Sequence, residues 1–272
     1  VLTTIANQGI EPFYQGDIAK QIVHDVQNSV IEPGLLSMQD MKSYQSVERD
    51  AVCAPYRDVS LCGMAPPSSG GIAVIQILKQ LEQHDLSQYL PTSVEAVHLL
   101  SQSSRLAFAD RERYLADSDF VSVPVAELID SNYLKQRGQL INLTKDMGIA
   151  KAGLPEKAVA LADSDGYELP STSHISIVDS YGNAISMTSS IEMGFGSAVM
   201  SQGFILNNQL TDFSLSPKRD GVLVANRVEA NKRPRSSMAP MMVFDKNNHL
   251  QLVVGSPGGS RIINYVAQTL VA

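Results

Sequence analysis

Apolar residues recur at helical spacing early in the chain, where Ile18, Ile22, Val23, Val26 and Val30 form one stripe. Ser68-Ser69-Gly70-Gly71 then opens a strongly apolar segment, Ile72 to Leu81, which predicts a buried helix. Thr92 and Glu95 have capping-box spacing ahead of a second long pattern through Val94, Val97, Leu100, Ala107, Phe108 and Leu115, predicting a helix to about Ala116. Between the first two helices, Ala51 to Met64 carries short strand-like runs on either side of a turn at Pro55-Tyr56-Arg57-Asp58. The periodicity fades from Ser122, and residues 151–170, rich in Ala, Asp, Gly and Pro, read as an exposed, cleavable linker.

Beyond the linker the period changes from helical to alternating. Ser173 to Asp179 and Asn183 to Ser190 read as strands joined by Ser180-Tyr181-Gly182; Met241 to Phe244 and Leu250 to Val254 form a further hairpin around Asp245-Lys246-Asn247-Asn248. A hairpin centred on Tyr181 sets Thr172 opposite Ser190 and His174 opposite Thr188. Parity then puts Thr172, His174, Ser176, Ser186, Thr188 and Ser190 on one face and Ile175, Ile177, Ile185 and Met187 on the other, which is expected to enter the core. No internal repeat or low-complexity tract interrupts the chain.

Thr172 marks the junction of linker and strand. A hydroxyl residue there becomes a new N-terminus if the chain is cut before it, and its freed amine can activate its own hydroxyl. An ordinary strand start produces the same local pattern. A second signal is Gly255-Ser256-Pro257-Gly258-Gly259-Ser260, between a strand and the apolar-periodic Ile262, Ile263 and Val266; adjacent glycines let backbone N–H groups converge on an anion, as in an oxyanion hole. A plain strand-to-helix turn is the competing reading. Asn207-Asn208-Gln209-Leu210-Thr211-Asp212-Phe213-Ser214 and Arg233-Pro234-Arg235-Ser236-Ser237-Met238 are two more polar clusters. Asp212 can hold an ammonium and the paired serines a carboxylate, together an amino-acid head group; an Asn-rich turn and a capping serine pair are the structural alternatives.

Composition narrows the chemistry. With 272 residues and 44% hydrophobic content the chain can bury a substantial core, and no apolar run approaches the roughly 20 residues that span a bilayer. The start at Val1, without Met or a signal-peptide pattern, reads as trimmed. A net charge of −7 with no long basic run argues against nucleic acid or an anionic membrane as partner and favours a small polar substrate. The five histidines are scattered and no Cys/His spacing suits zinc, so neither metal nor cofactor is expected. Cys53 and Cys62, across the Pro55 turn, allow a hairpin disulfide without requiring one. No Gly-x-Ser-x-Gly elbow supports a serine triad.

Taken in order, Phe13-Tyr14-Gln15-Gly16, Pro66-Pro67-Ser68-Ser69-Gly70-Gly71-Ile72, Phe108-Ala109-Asp110-Arg111, Thr172-Ser173-His174-Ile175-Ser176-Ile177-Val178-Asp179, Asp212-Phe213-Ser214, Lys232-Arg233-Pro234, Ser236-Ser237-Met238 and Gly255-Ser256-Pro257-Gly258-Gly259-Ser260-Arg261 resemble the γ-glutamyltransferase family over essentially the whole chain. The resemblance implies an α+β fold, the four-layer αββα sandwich of N-terminal-nucleophile hydrolases, made as a precursor that cleaves itself. By position the cut is Ser171–Thr172. Residues 1–171 would then be the C-terminal part of a large-subunit region, 172–272 the N-terminal part of a small-subunit region, and both halves one domain.

In that resemblance Thr172 attacks a γ-amide carbonyl, its own α-amine takes the proton, and the acyl group passes to water or to an amino-acid or peptide acceptor. An α-amine titrates near pKa 8, which suits a base near neutral pH. Ser190 aligns with a threonine that hydrogen-bonds the nucleophile, and Gly258 and Gly259 supply oxyanion amides. Gln209 and Asp212 bind the donor's α-amino group, and Ser236 and Ser237 its α-carboxylate. Glu192 falls where the family has an asparagine, a departure shared with relatives that act on other amides. Glutathione-like donors are thus one expectation, a glutaryl or cephalosporin-type acylase another, and an unprocessed binding module a third. The remainder of both subunits is an implied partner, and the periplasm or cell exterior the implied location.

Overall fold

The computed structural model describes residues 1–166 and 171–272; residues 167–170, the end of the expected linker, lie outside the described residues. In chain order the helices α1 (Leu2–Gln8), α2 (Glu11–Tyr14), α3 (Asp17–Gln27) and α4 (Met38–Ser43) precede strands β1 (Val52–Tyr56) and β2 (Val59–Gly63). Next come α5 (Gly70–Leu81), α6 (Val94–Tyr114), α7 (Val125–Leu128) and α8 (Ser131–Gly138), then β3 (Ser173–Val178) and β4 (Ala184–Ser189). Short strands β5 (Met200–Ser201), β6 (Phe204–Ile205), β7 (Lys218–Arg219) and β8 (Val222–Leu223) lead to β9 (Met241–Asp245), β10 (Leu250–Val254) and α9 (Ile262–Val271).

These elements form two compact units, Val1–Glu48 with Ile191–Asn208, and Arg49–Ser190 with Gln209–Ala272. In the first, α3 buries Ile18, Ala19, Ile22 and Val23, as its stripe predicts. The helix stops before Val30, because the Asn28 side chain donates to the His24 carbonyl at 2.8 Å; Val30 is therefore exposed rather than part of the stripe. Phe13 stacks on Phe204 with centroids 6.2 Å apart, tying the two stretches of this unit together.

In the second unit an antiparallel sheet runs β1-β2-β9-β10. Leu61 pairs with Val243 and Cys62 with Met242, so strands distant in sequence share one register. Helix α5 packs on β1, β2, α6, α8 and α9, which explains why it is largely apolar and buried nearly all round. Ile72, Ile75, Ile77, Leu78 and Leu81 are fully buried there, each contributing about 1.5–3 kcal/mol of burial. At its start the Met238–Ala239 backbone comes so close that a Cβ on Gly70 would sit 2.4 Å from the Met238 carbonyl oxygen. No other residue fits without displacing that strand entry.

Three local expectations shift. The cap of α6 is Ser93, not Thr92: Ser93 Oγ accepts from Ala96 N–H at 3.2 Å, and the helix ends at Tyr114. The β1–β2 turn is Arg57-Asp58, and Pro55 lies inside β1, an edge strand where a missing N–H is tolerated. Across that hairpin Cys53 faces Cys62 and the two form a disulfide.

The β3–β4 hairpin has the predicted register, with Ser173 opposite Ser189 and His174 opposite Thr188. Its faces are the reverse of expectation. Ser186 Oγ donates to the Val254 carbonyl at 3.2 Å, and His174 packs on Gly255, so the hydroxyl face turns toward the end of β10. Parity then directs Ile175, Ile177, Ile185 and Met187 outward, and they are exposed rather than buried in a core. Among the described residues no helix is long and apolar enough to cross a membrane.

Candidate active site

Thr172 stands one residue before β3 with φ of 106°, a backbone conformation that a β-branched side chain rarely adopts. Such strain costs on the order of 1–3 kcal/mol and is held by the surroundings. The holding groups are on the loop after β10: the Ser171 carbonyl oxygen accepts from Gly258 N–H at 2.9 Å and from Gly259 N–H at 3.3 Å. Gly258 has φ of 137° and Gly259 of 56°, so both need the freedom of glycine to aim consecutive amides at one oxygen. A Cβ on Gly258 would also lie 2.9 Å from the Tyr265 ring. The loop runs directly into α9, whose N-terminus adds its partial positive charge.

On the other side, Thr172 Oγ1 donates to Ser190 Oγ at 3.1 Å, the cross-strand pair that the hairpin register demands. Two residues along the same face, the His174 ring is held by Thr188 Oγ1 at 2.8 Å and Ser176 Oγ at 3.0 Å. Partial burial keeps its pKa below the ordinary value, so the ring is neutral near pH 7. That ring packs against the loop: a Cβ on Gly255 would come within 2.1 Å of its Cε1. Sequence alone gave His174 a place on the face and no role.

The remaining predicted residues fall into separate clusters. Gln209 and Asp212 share one short turn, where Gln209 Nε2 donates to Asp212 Oδ2 and Asp212 is buried. Ser236 and Ser237 lie beside the start of α5. Ser69 N–H and Ser69 Oγ both donate to the Ser236 carbonyl at 2.7 Å, and Arg111 Nη2 donates to Ser237 Oγ at 2.6 Å. Asn226, fully buried, joins the two clusters: its amide donates to the Asp212 carbonyl at 2.7 Å and its oxygen accepts from Arg235 N–H at 2.9 Å. No pattern in the sequence marked Asn226. Glu192 belongs to the first unit, where it is buried with φ of 72° and its Oε2 accepts from Asn208 Nδ2 at 2.5 Å.

The α+β scaffold, which sets a strained hydroxyl residue at a loop-to-strand junction and cradles its preceding carbonyl between paired glycine amides, has the N-terminal-nucleophile hydrolase fold. The scaffold agrees: the crystal structure of cephalosporin acylase from Bacillus halodurans superposes with a TM-score of 0.81 at 24% identity, over 99% of this chain and 45% of that one. The family model Gamma-glutamyltranspeptidase matches residues 1–272, and the chain belongs to that family. It is 40% identical to the Glutathione hydrolase proenzyme of Escherichia coli (strain K12) over 99% of this chain and 46% of that protein. It is 34% identical to the Acylase ACY 1 proenzyme of Pseudomonas sp. (strain V22), over 99% of this chain and 45% of that protein. The chain thus spans less than half the length of these relatives.

Proposed function

We propose that Thr172 is the nucleophile of a self-processing enzyme that hydrolyses or transfers γ-glutamyl groups of glutathione-like amides. The observation that carries this reading is the Ser171 carbonyl held by the Gly258 and Gly259 amides beside the Thr172 hydroxyl. In the uncut chain, Thr172 Oγ1 attacks the Ser171 carbonyl carbon, and the two amides stabilise the negative oxygen. Collapse breaks the Ser171–Thr172 C–N bond, the nitrogen taking up the proton the hydroxyl gave up; this frees the α-amine and leaves Ser171 as an ester on Thr172, which water cleaves to a Ser171 carboxylate and the restored Thr172 hydroxyl. Cleavage also removes the φ torsion of Thr172, which has no meaning without a preceding carbonyl, and so releases the strain.

In the mature enzyme the substrate carbonyl oxygen takes the position vacated by the Ser171 oxygen. The free amine, with a pKa near 8, accepts the hydroxyl proton and returns it to the leaving group. Ser190 orients the nucleophile. Gln209 and Asp212 take the donor's ammonium, Ser236 and Ser237 its carboxylate, and Glu192, by its position in the sequence, is assigned to the donor as well. The acyl group passes to water or to an amino-acid or peptide amine. We place the protein in the periplasm or outside the cell, consistent with its disulfide.

The acylase reading stays beside this one because an acylase is among the relatives and Glu192 departs from the family's asparagine. A γ-glutamyl anilide and a glutaryl anilide, tested side by side on the complete gene product, separate the two. Thr172→Ala is expected to give a single uncut species by intact mass and no turnover of either anilide. A Thr172→Ala protein that matured and turned over at the parent rate would sink the assignment.

A further inference from the structure

We propose that Arg111 is a positioning residue that presents the Ser236–Ser237 pair to the carboxylate of the donor. The proposal rests on the serine pair binding that carboxylate, as proposed above. Arg111 lies in the last turn of α6 and is 2% exposed. Among its contacts, Nε donates to Ser69 Oγ at 2.8 Å, Nη2 to Ser237 Oγ at 2.6 Å and Nη1 to Glu112 Oε1 at 2.5 Å. Ser69 in turn donates its hydroxyl and its N–H to the Ser236 carbonyl. One guanidinium therefore fixes both the backbone of Ser236 and the hydroxyl of Ser237.

The chemistry of the contact sets what the serine can do. A hydroxyl has one proton and two lone pairs, and a guanidinium only donates. Because Ser237 Oγ accepts from Arg111, its own O–H points away from the guanidinium, the orientation in which a hydroxyl can donate to a carboxylate. The positive charge directly behind the hydroxyl also strengthens it as a donor. Glu112 holds the fork in plane: its other oxygen accepts from Arg235 Nη2 at 2.7 Å, while Arg235 Nη1 donates to the Arg111 carbonyl at 3.0 Å. Phe108 stacks under the guanidinium at 5.5 Å. Lysine cannot replace this arrangement, since a single ammonium has no fork to reach two hydroxyls and a carboxylate at fixed angles.

The test uses the complete gene product with three anilides: γ-glutamyl, glutaryl, and 4-aminobutyryl, which keeps the amine and lacks the carboxylate. Arg111→Lys is expected to raise KM about tenfold for the two carboxylate-bearing donors with kcat nearly unchanged. The 4-aminobutyryl donor, followed by its competitive Ki if turnover is too slow, is expected to be unaffected. Ser237→Ala should reproduce this selectivity, and adding Arg111→Lys to it should change little more. A KM rise alike for all three donors, or a fall in kcat alone, overturns the proposal by showing a structural role. If Ser237→Ala raises KM and Arg111→Lys does not, Arg111 is excluded while the serine reading stands. If Ser237→Ala has no effect on KM, the serine reading fails and this proposal with it. Should Arg111→Lys fail to mature, Ser69→Ala, which cuts the link from Arg111 to Ser236, is expected to give the same donor-selective rise; its absence overturns the proposal equally.

Discussion

Gly255 offers the sharpest check on how the nucleophile strand and the oxyanion loop hold each other. A methyl group in Gly255→Ala would meet His174 at 2.1 Å from Cε1 and 2.3 Å from Nδ1, well inside contact distance. The ring cannot swing away freely, because Thr188 Oγ1 and Ser176 Oγ hold its two nitrogens. Either the ring leaves both partners, losing about 0.5–1.5 kcal/mol for each hydrogen bond, or the loop moves and carries the Gly258 and Gly259 amides off the Ser171 carbonyl. With about 1–3 kcal/mol for overpacking, the destabilisation is about 3 kcal/mol. In a protein of this size that lowers the thermal midpoint by roughly 6–12 °C. Self-cleavage, followed by intact mass after expression of the complete gene product, should slow as well. The cause is isolated by a double-mutant cycle: in a His174→Ala background the obstructing ring is gone, so adding Gly255→Ala should cost less than about 1 kcal/mol. Additive effects of the two substitutions, or a Gly255→Ala protein with the parent midpoint and cleavage rate, would refute the packing argument.

Ser190→Ala removes the acceptor of the Thr172 hydroxyl, so self-cleavage and anilide turnover are expected to fall roughly tenfold, while Ser190→Thr, which keeps a hydroxyl, stays near the parent rate; a parent rate for Ser190→Ala in a time course would contradict this. Burial lowers the pKa of His174 from its ordinary 6.5, so as pH drops below about 6.5 the unfolded chain takes up a proton that the native ring does not, and stability falls. Denaturation midpoints at pH 7.5 and 5.5 should therefore converge in His174→Asn relative to the parent. They should not converge fully, because burial depresses His84 in the same direction.

Helices α3 and α5 and the two hairpins around Tyr181 and Asn247 were legible because helical spacing, a long apolar run and alternation report where an element forms, though not, at the Tyr181 hairpin, which of its faces is buried. Element ends were less so. Thr92 and Ser93 are both good caps, and only the backbone geometry selects Ser93. The short strands β5 to β8 left no signal, since two-residue pairings are made by their neighbours rather than by propensity. Of the site, the hydroxyl at the strand start and the two adjacent glycines stood out in the sequence, although an ordinary strand start and a plain strand-to-helix turn leave the same local patterns. Arg111, Ser69 and Asn226 did not, because each looks like an ordinary polar residue until its partners are assembled.

The amino-acid sequence by itself determined the strongly patterned elements, the pairing of Thr172 with Ser190 and the family, because register and motif spacing are properties of neighbouring residues along the chain. Only the tertiary structure decided which face of the β3–β4 hairpin turns inward, that the Gly258 and Gly259 amides meet the Ser171 carbonyl, and that one guanidinium holds both serines. Those facts depend on contacts between segments tens to more than a hundred residues apart. Their geometry is set by the packing of sheet and helices, which no local pattern encodes.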